Sequence, residues 1–221
     1  MNDAPAQRPA ARYGRYVGLL ALFIVALITL NTILTKPNGS KGIEVGHTAP
    51  PFAVPLVTGN LSGDADIAAR AHEGSRGAVA ACQERGAEIL NICQLYERGP
   101  VVLALFLDAG SCAAVLGDVQ SIAGSFPGVQ FAAVALKGDR SKLRRLVSSR
   151  GLQIPVGEDR DGSLLGLYKM ASCPQVSFIY PGGVVQSPAL LVRPAIATLR
   201  ARVAQLVAAS RARGLHQAGA A

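Results

Sequence analysis

The chain has 221 residues, half of them apolar, with no Trp and only 5% aromatic residues. That admits one domain with additions and a sizeable core, excludes disorder and collagen, and leaves little material for aromatic base-stacking surfaces. The formal charge of +8 is unevenly placed, with residues 1–16 at +2, 17–44 at +1, 45–192 at zero and 193–221 at +5, so a neutral middle between basic tails argues against a nucleic-acid partner.

Residues 1–16 read as a basic cytoplasmic arm carrying Arg8, Arg12 and Arg15. From Tyr16 to Thr35 no residue is charged, and the apolar run Val17–Leu34 is apolar all round. A helix of this length nearly crosses a ~30 Å hydrocarbon core, so residues 17–35 are predicted to be a transmembrane anchor in the lipid bilayer. The alternative, a cleaved signal, lacks an Ala-x-Ala site. Three arginines before the span against Lys36 and Lys41 after it place the rest of the chain outside the cytoplasm. That compartment permits disulfides. Residues 36–44 read as a linker, with Pro37, Asn38, Gly39 and Ser40.

Residues 45–210 form the expected folded domain, and 211–221 a flexible tail. Short extended pieces broken by Pro50, Pro51 and Pro55 come first, then a turn at Thr58–Asn60. An Ala-rich insertion over 64–98 reads as helical and contains Cys82 and Cys93. Val101–Leu107 is a continuous apolar run, as in a strand buried on both faces. Asp108–Ser111 breaks it, and Cys112–Phe126 is helical, with Val115, Val119 and Ile122 on one face. Phe131–Leu136 is a second buried strand. Arg140–Arg150 is a helix whose basic face, including Arg140, Lys142, Arg144, Arg145 and Arg150, reads as solvated. Gly162–Tyr168 is a short helix, and Val176–Tyr180 with Val184-Val185 a hairpin. Pro194 opens a final helix striped by Ile196, Leu199, Val203 and Leu206. The C-terminal arginines read as a solvated helix end, with anionic headgroups the alternative. Strands alternating with helices imply an α/β fold, a central mixed β-sheet flanked by helices.

Hydrolase, kinase and dinucleotide signatures are missing. His47, His72 and His216 have no ligand spacing, and no Cys-x-x-Cys pair suggests zinc. No metal or other cofactor is implied, and the chemistry falls to the four cysteines.

Gly46-His-Thr-Ala49-Pro50-Pro51-Phe52 resembles the Gly-x-x-Ala-Pro-x-Phe opening of redoxin domains. These are the thioredoxin-like proteins that include membrane-anchored thiol–disulfide oxidoreductases and peroxiredoxins. Val101–Leu107 before Cys112 is similar to their active-site strand. Pro155-Val156, Asp159-Arg-Asp161-Gly162 and Tyr168-Lys-Met170 resemble a later run, and Ser172-Cys173-Pro174 resembles the cis-proline loop. The resemblance covers about residues 43–210 and implies a thioredoxin-like fold. The family's oxidoreductases carry Trp-Cys-x-x-Cys, whereas this chain reads Gly110-Ser111-Cys112-Ala113-Ala114-Val115. An exchange cycle within one motif is therefore impossible. Peroxiredoxins carry Thr or Ser where this chain has Ala109.

By the resemblance, Cys173 faces Cys112 across the site, and the two form a disulfide in place of the missing partner. Cys112 at a helix start would attack and Cys173 would resolve, with Pro174 and Ser111 at the substrate groove. Cys82 and Cys93 would form a structural staple. Asp108 tunes Cys112 or merely caps a turn. Three functions stand open: thiol–disulfide exchange with protein thiols, protein disulfides or a small thiol; a binding or scaffold role; and a one-cysteine peroxidase working through a sulfenic acid.

Overall fold

The computed structural model describes residues 10–34, 42–61 and 79–215. His72, His216 and positions 64–78 of the predicted insertion lie outside the described residues.

Ala10–Leu34 is helix α1, a unit by itself. It takes in part of the segment read as a basic arm. Its side chains are described at Gly14 and over positions 16–30, and all of these are exposed. Among the described residues no helix is long and apolar enough to cross a membrane.

In the second unit, β3 (Val101–Phe106) is the centre of a five-stranded sheet ordered β5-β4-β3-β6-β7. The strand β4 (Gln130–Leu136) runs parallel to β3 and β5 (Val156–Asp159) parallel to β4; β6 (Gln175–Ile179) runs antiparallel to β3, and β7 (Val185–Leu190) antiparallel to β6. All six β3 residues are buried because both faces are covered. Val102, Ala104 and Phe106 enter one core cluster. It is roofed by α3 (Val115–Ala123), α4 (Arg140–Ser149) and α6 (Ile196–Ala212) through Val115, Val119, Leu143, Leu199 and Val203. Val101, Leu103 and Leu105 enter the other cluster, against Phe52, Ile92, Leu164 and Tyr168. Ile92 and Leu164 belong to α2 (Ile92–Arg98) and α5 (Ser163–Leu167). The mixed sheet with helices on both faces is the predicted architecture. Ile196 departs from the expected α6 stripe: it is 47% exposed, and only Leu199, Val203 and Leu206 turn inward. Being the first helical residue, it lies before the turn that packs.

The described part of the insertion is not one helix. Ala81–Gln83 is a single 3-10 turn, Ile89–Asn91 is strand β2, and α2 starts only at Ile92. β2 pairs with β1 (Ala53–Pro55) in a separate antiparallel ribbon, Val54 opposite Leu90. Asn91 decides this locally. Its backbone is extended, its Oδ1 accepts from the N–H groups of Cys93 and Gln94, and its Nδ2 donates to Ala81 O and Glu84 O at 2.8 Å. An N-capping Asn satisfies the new helix by ending the old direction. The ribbon lies close on β5, where a Cβ on Gly157 would come within 2.4 Å of Val54 Cγ2.

The basic face of α4 is not simply solvated. Arg140 Nη1 donates to Leu61 O, and its Nη2 to Leu56 O and Gly59 O at 2.7 and 2.9 Å. Arg144 Nε donates to Val57 O at 2.9 Å. These guanidinium groups meet carbonyls that the Thr58–Asn60 turn leaves without strand partners. Arg140 Nε also lies 3.8 Å from Glu158 Oε2, a buried oxygen with no hydrogen bond.

Asp159 supplies the start of α5. Its carboxylate accepts from the N–H groups of Gly162, Ser163 and Leu164, while burial raises its carboxyl above the usual range. Gly162, at φ +73°, makes the turn that aims these amides back.

Candidate active site

The site forms where β3 runs out. After Phe106 the chain turns through Ala109, whose N–H donates to Leu107 O, and Cys112 N–H donates to Ala109 O at 3.1 Å. Cys112–Ala114 is a 3-10 turn leading into α3. On the far side, Cys173 ends the loop before β6, and the Cys173–Pro174 peptide is cis, as the resemblance implied. Cys112 and Cys173 form a disulfide with Cα atoms 5.4 Å apart, within the usual ~4.4–6.8 Å range.

The backbone holds both sulfurs. Leu107 N–H donates to Cys112 Sγ at 3.3 Å and to Cys173 Sγ at 3.2 Å. A main-chain donor needs no rotamer to stay in place, and such a bond favours an ionised sulfur over a neutral one. Cys112 is only 6% exposed, inside the cluster with Phe106 and Val115. Cys173 is half-buried at that cluster's margin. Ser111 is exposed beside the pair, and Pro174 is buried behind it. Asp108 is exposed.

Neighbouring groups pin the two sides. Arg150 Nη1 donates to Ala113 O at 2.6 Å, tying α4 to the turn that carries Cys112. Ser172 Oγ donates to Leu191 O, fixing the Cys173 loop to the end of β7. Arg193 donates from Nε and Nη2 to the two oxygens of Asp118 on α3, at 2.6 and 2.9 Å. Hydrogen bonding to Asp118 raises Arg193 further into its charged range. Arg193, its side chain 50% exposed, thus ties the chain after β7 to α3. Sequence reasoning missed Asp118, although one acid on the Val115/Val119 face of an amphipathic helix signals a buried partner. Leu107 N–H leaves no signal in side-chain identities.

Cys82 and Cys93 form the second disulfide, Cα atoms 5.4 Å apart. The Tyr96 hydroxyl donates to Cys82 Sγ at 3.7 Å. Arg85 grips Glu97 through two hydrogen bonds, at 3.0 and 2.7 Å. His47 is exposed, 3.5 Å from Glu44. Among the described residues no cluster of His, Cys, Asp or Glu could hold a metal ion.

Neither a protein-family model nor a curated protein matches the chain. Solved structures do. One is a secreted Mycobacterium tuberculosis disulfide oxidoreductase homologous to Escherichia coli DsbE. It is 18% identical with a TM-score of 0.51, over 70% of this chain and 95% of that one. The thioredoxin domain of a Bacteroides vulgatus thiol–disulfide oxidoreductase aligns at 12% identity and a TM-score of 0.55, over 75% and 99%. A candidate thiol:disulfide interchange protein DsbE from Chlorobium tepidum aligns at 18% and 0.55, over 76% and 98%. The chain thus has the thioredoxin-like fold of these structures.

Proposed function

We propose that the protein is a thiol–disulfide oxidoreductase whose redox centre is the Cys112–Cys173 pair. The observation that carries this reading is the pair itself. Two cysteines 61 residues apart in sequence meet at the start of α3, with one main-chain donor on both sulfurs. The site can store two electrons as a dithiol and give them up as a disulfide. The partners are protein thiols or disulfides, or a small thiol. In the assay, the parent should exchange with a peptide disulfide, while Cys112→Ser and Cys173→Ser should each fall to the uncatalysed turnover rate. A parent without exchange would leave the binding or scaffold role.

The anchored, extracytoplasmic location belongs to the same proposal. It is supported by the uncharged run Tyr16–Thr35, by Arg8, Arg12 and Arg15 before it, and by the exposed apolar side chains along α1. The full chain should stay in the membrane pellet at alkaline pH. A membrane-impermeant maleimide should label its reduced cysteines on intact cells. Release into the supernatant, or labelling only after lysis, would overturn the anchor or its orientation respectively.

A further inference from the structure

We infer that Cys173, and not Cys112, is the sulfur that exchanges with the partner, Cys112 being the internal sulfur that resolves. The inference rests on the exchange reading above and reverses the order that the sequence suggests. Leu107 N–H donates to both sulfurs at nearly equal distance, so it does not choose between them. Burial does. Cys112 is 6% exposed and surrounded by Phe106, Ala113, Val115 and Leu116 in the apolar cluster. Cys173 lies at the margin, preceded by exposed Ala171 and half-buried Ser172.

Exchange needs the attacking sulfur in line with the disulfide it breaks, so a partner must reach that sulfur from outside. Of the two, Cys173 is the more open to solvent, half-buried where Cys112 is 6% exposed. A thiolate is also costlier among apolar groups than at a wet edge. Cys112 needs no access to the partner, because its one target, Cys173 Sγ, is already beside it.

Two steps follow from the reduced protein. The Cys173 thiolate attacks a partner disulfide, forming a mixed disulfide and expelling one partner thiolate, which takes a proton from water. The Cys112 thiolate then attacks Cys173 Sγ, forming the Cys112–Cys173 bond and expelling the second partner thiolate, which is protonated likewise. The partner disulfide has gained two electrons and the cysteine pair has lost them. Leu107 N–H bonds to either sulfur, so the donor serves both steps without moving.

The test uses the full chain. After reduction and removal of reductant, limiting iodoacetamide followed by peptide mapping should modify Cys173 at least about tenfold faster than Cys112. With a peptide disulfide, Cys112→Ser should accumulate a mixed disulfide on Cys173, seen by mass, and Cys173→Ser should accumulate none on Cys112. If the parent exchanges but Cys112 is alkylated as fast or faster, or Cys173→Ser is the variant that traps, the assignment alone is overturned. A parent that does not exchange overturns the exchange reading, and this assignment with it.

Discussion

Arg140→Ala will lower the stability of the protein by about 3–5 kcal/mol, the usual cost of removing one member of a buried ion pair. The Arg140 side chain is 18% exposed and that of Glu158 2%. Glu158 Oε2 has no hydrogen-bond donor, so Arg140 Nε at 3.8 Å is its compensation. The same substitution strips donors from the carbonyls of Leu56, Gly59 and Leu61. Arg140→Lys keeps the charge but has no planar fork for those carbonyls, so an intermediate loss is expected. Arg140→Met with Glu158→Leu should recover much of the loss, since it removes both charges together. Urea unfolding at unchanged m reads these differences. A loss under about 1 kcal/mol in Arg140→Ala would show that the pair is no more than a surface contact.

Removing the Cys112–Cys173 bridge will cost more than removing the other disulfide. The sequence separations are 61 and 11 residues. Loop-closure entropy then gives about 4 kcal/mol for the first and about 3 kcal/mol for the second, in a chain-entropy account. Double alanine variants of each pair, unfolded in urea against the oxidised parent, measure both. The two losses should add, because the bridges belong to different core clusters. The Cys82–Cys93 variant should keep exchange activity at permissive temperature. If it loses no stability, or if Cys82 and Cys93 map as free thiols in the parent, the staple does not exist.

The sequence exposes those parts of the fold that repeat a simple period. Val101–Leu107 and Phe131–Leu136 are unbroken apolar runs, and both are sheet strands with ends within a residue of those expected. Leu143 and Val147 lie inward on α4 as their spacing requires. The strand β2 was hidden because three residues carry no period, and because one Asn, through its four hydrogen bonds, overrides an Ala-rich helical background. The arginines of α4 look alike in sequence. Only the path of the loop over 56–61 separates Arg140, which is half-buried, from Arg145, which is exposed. At the site, Cys112, Cys173 and the cis-proline were legible from the ordered motifs of the resemblance. Leu107 N–H and the Asp118–Arg193 pair were not, since both depend on where the turn after β3 and the chain after β7 come to rest.

The two cysteine pairs sit on opposite faces of the five-stranded sheet, Cys112 and Cys173 with one core cluster, Cys82 and Cys93 with the other. Once β3 has paired with β4 and β6, the sheet stands between them. A thiol on one side then has no path to a sulfur on the other. Four cysteines allow three pairings on paper, and the one present joins cysteines on the same face of the sheet. A bridge formed after the sheet therefore joins the two cysteines that share a face.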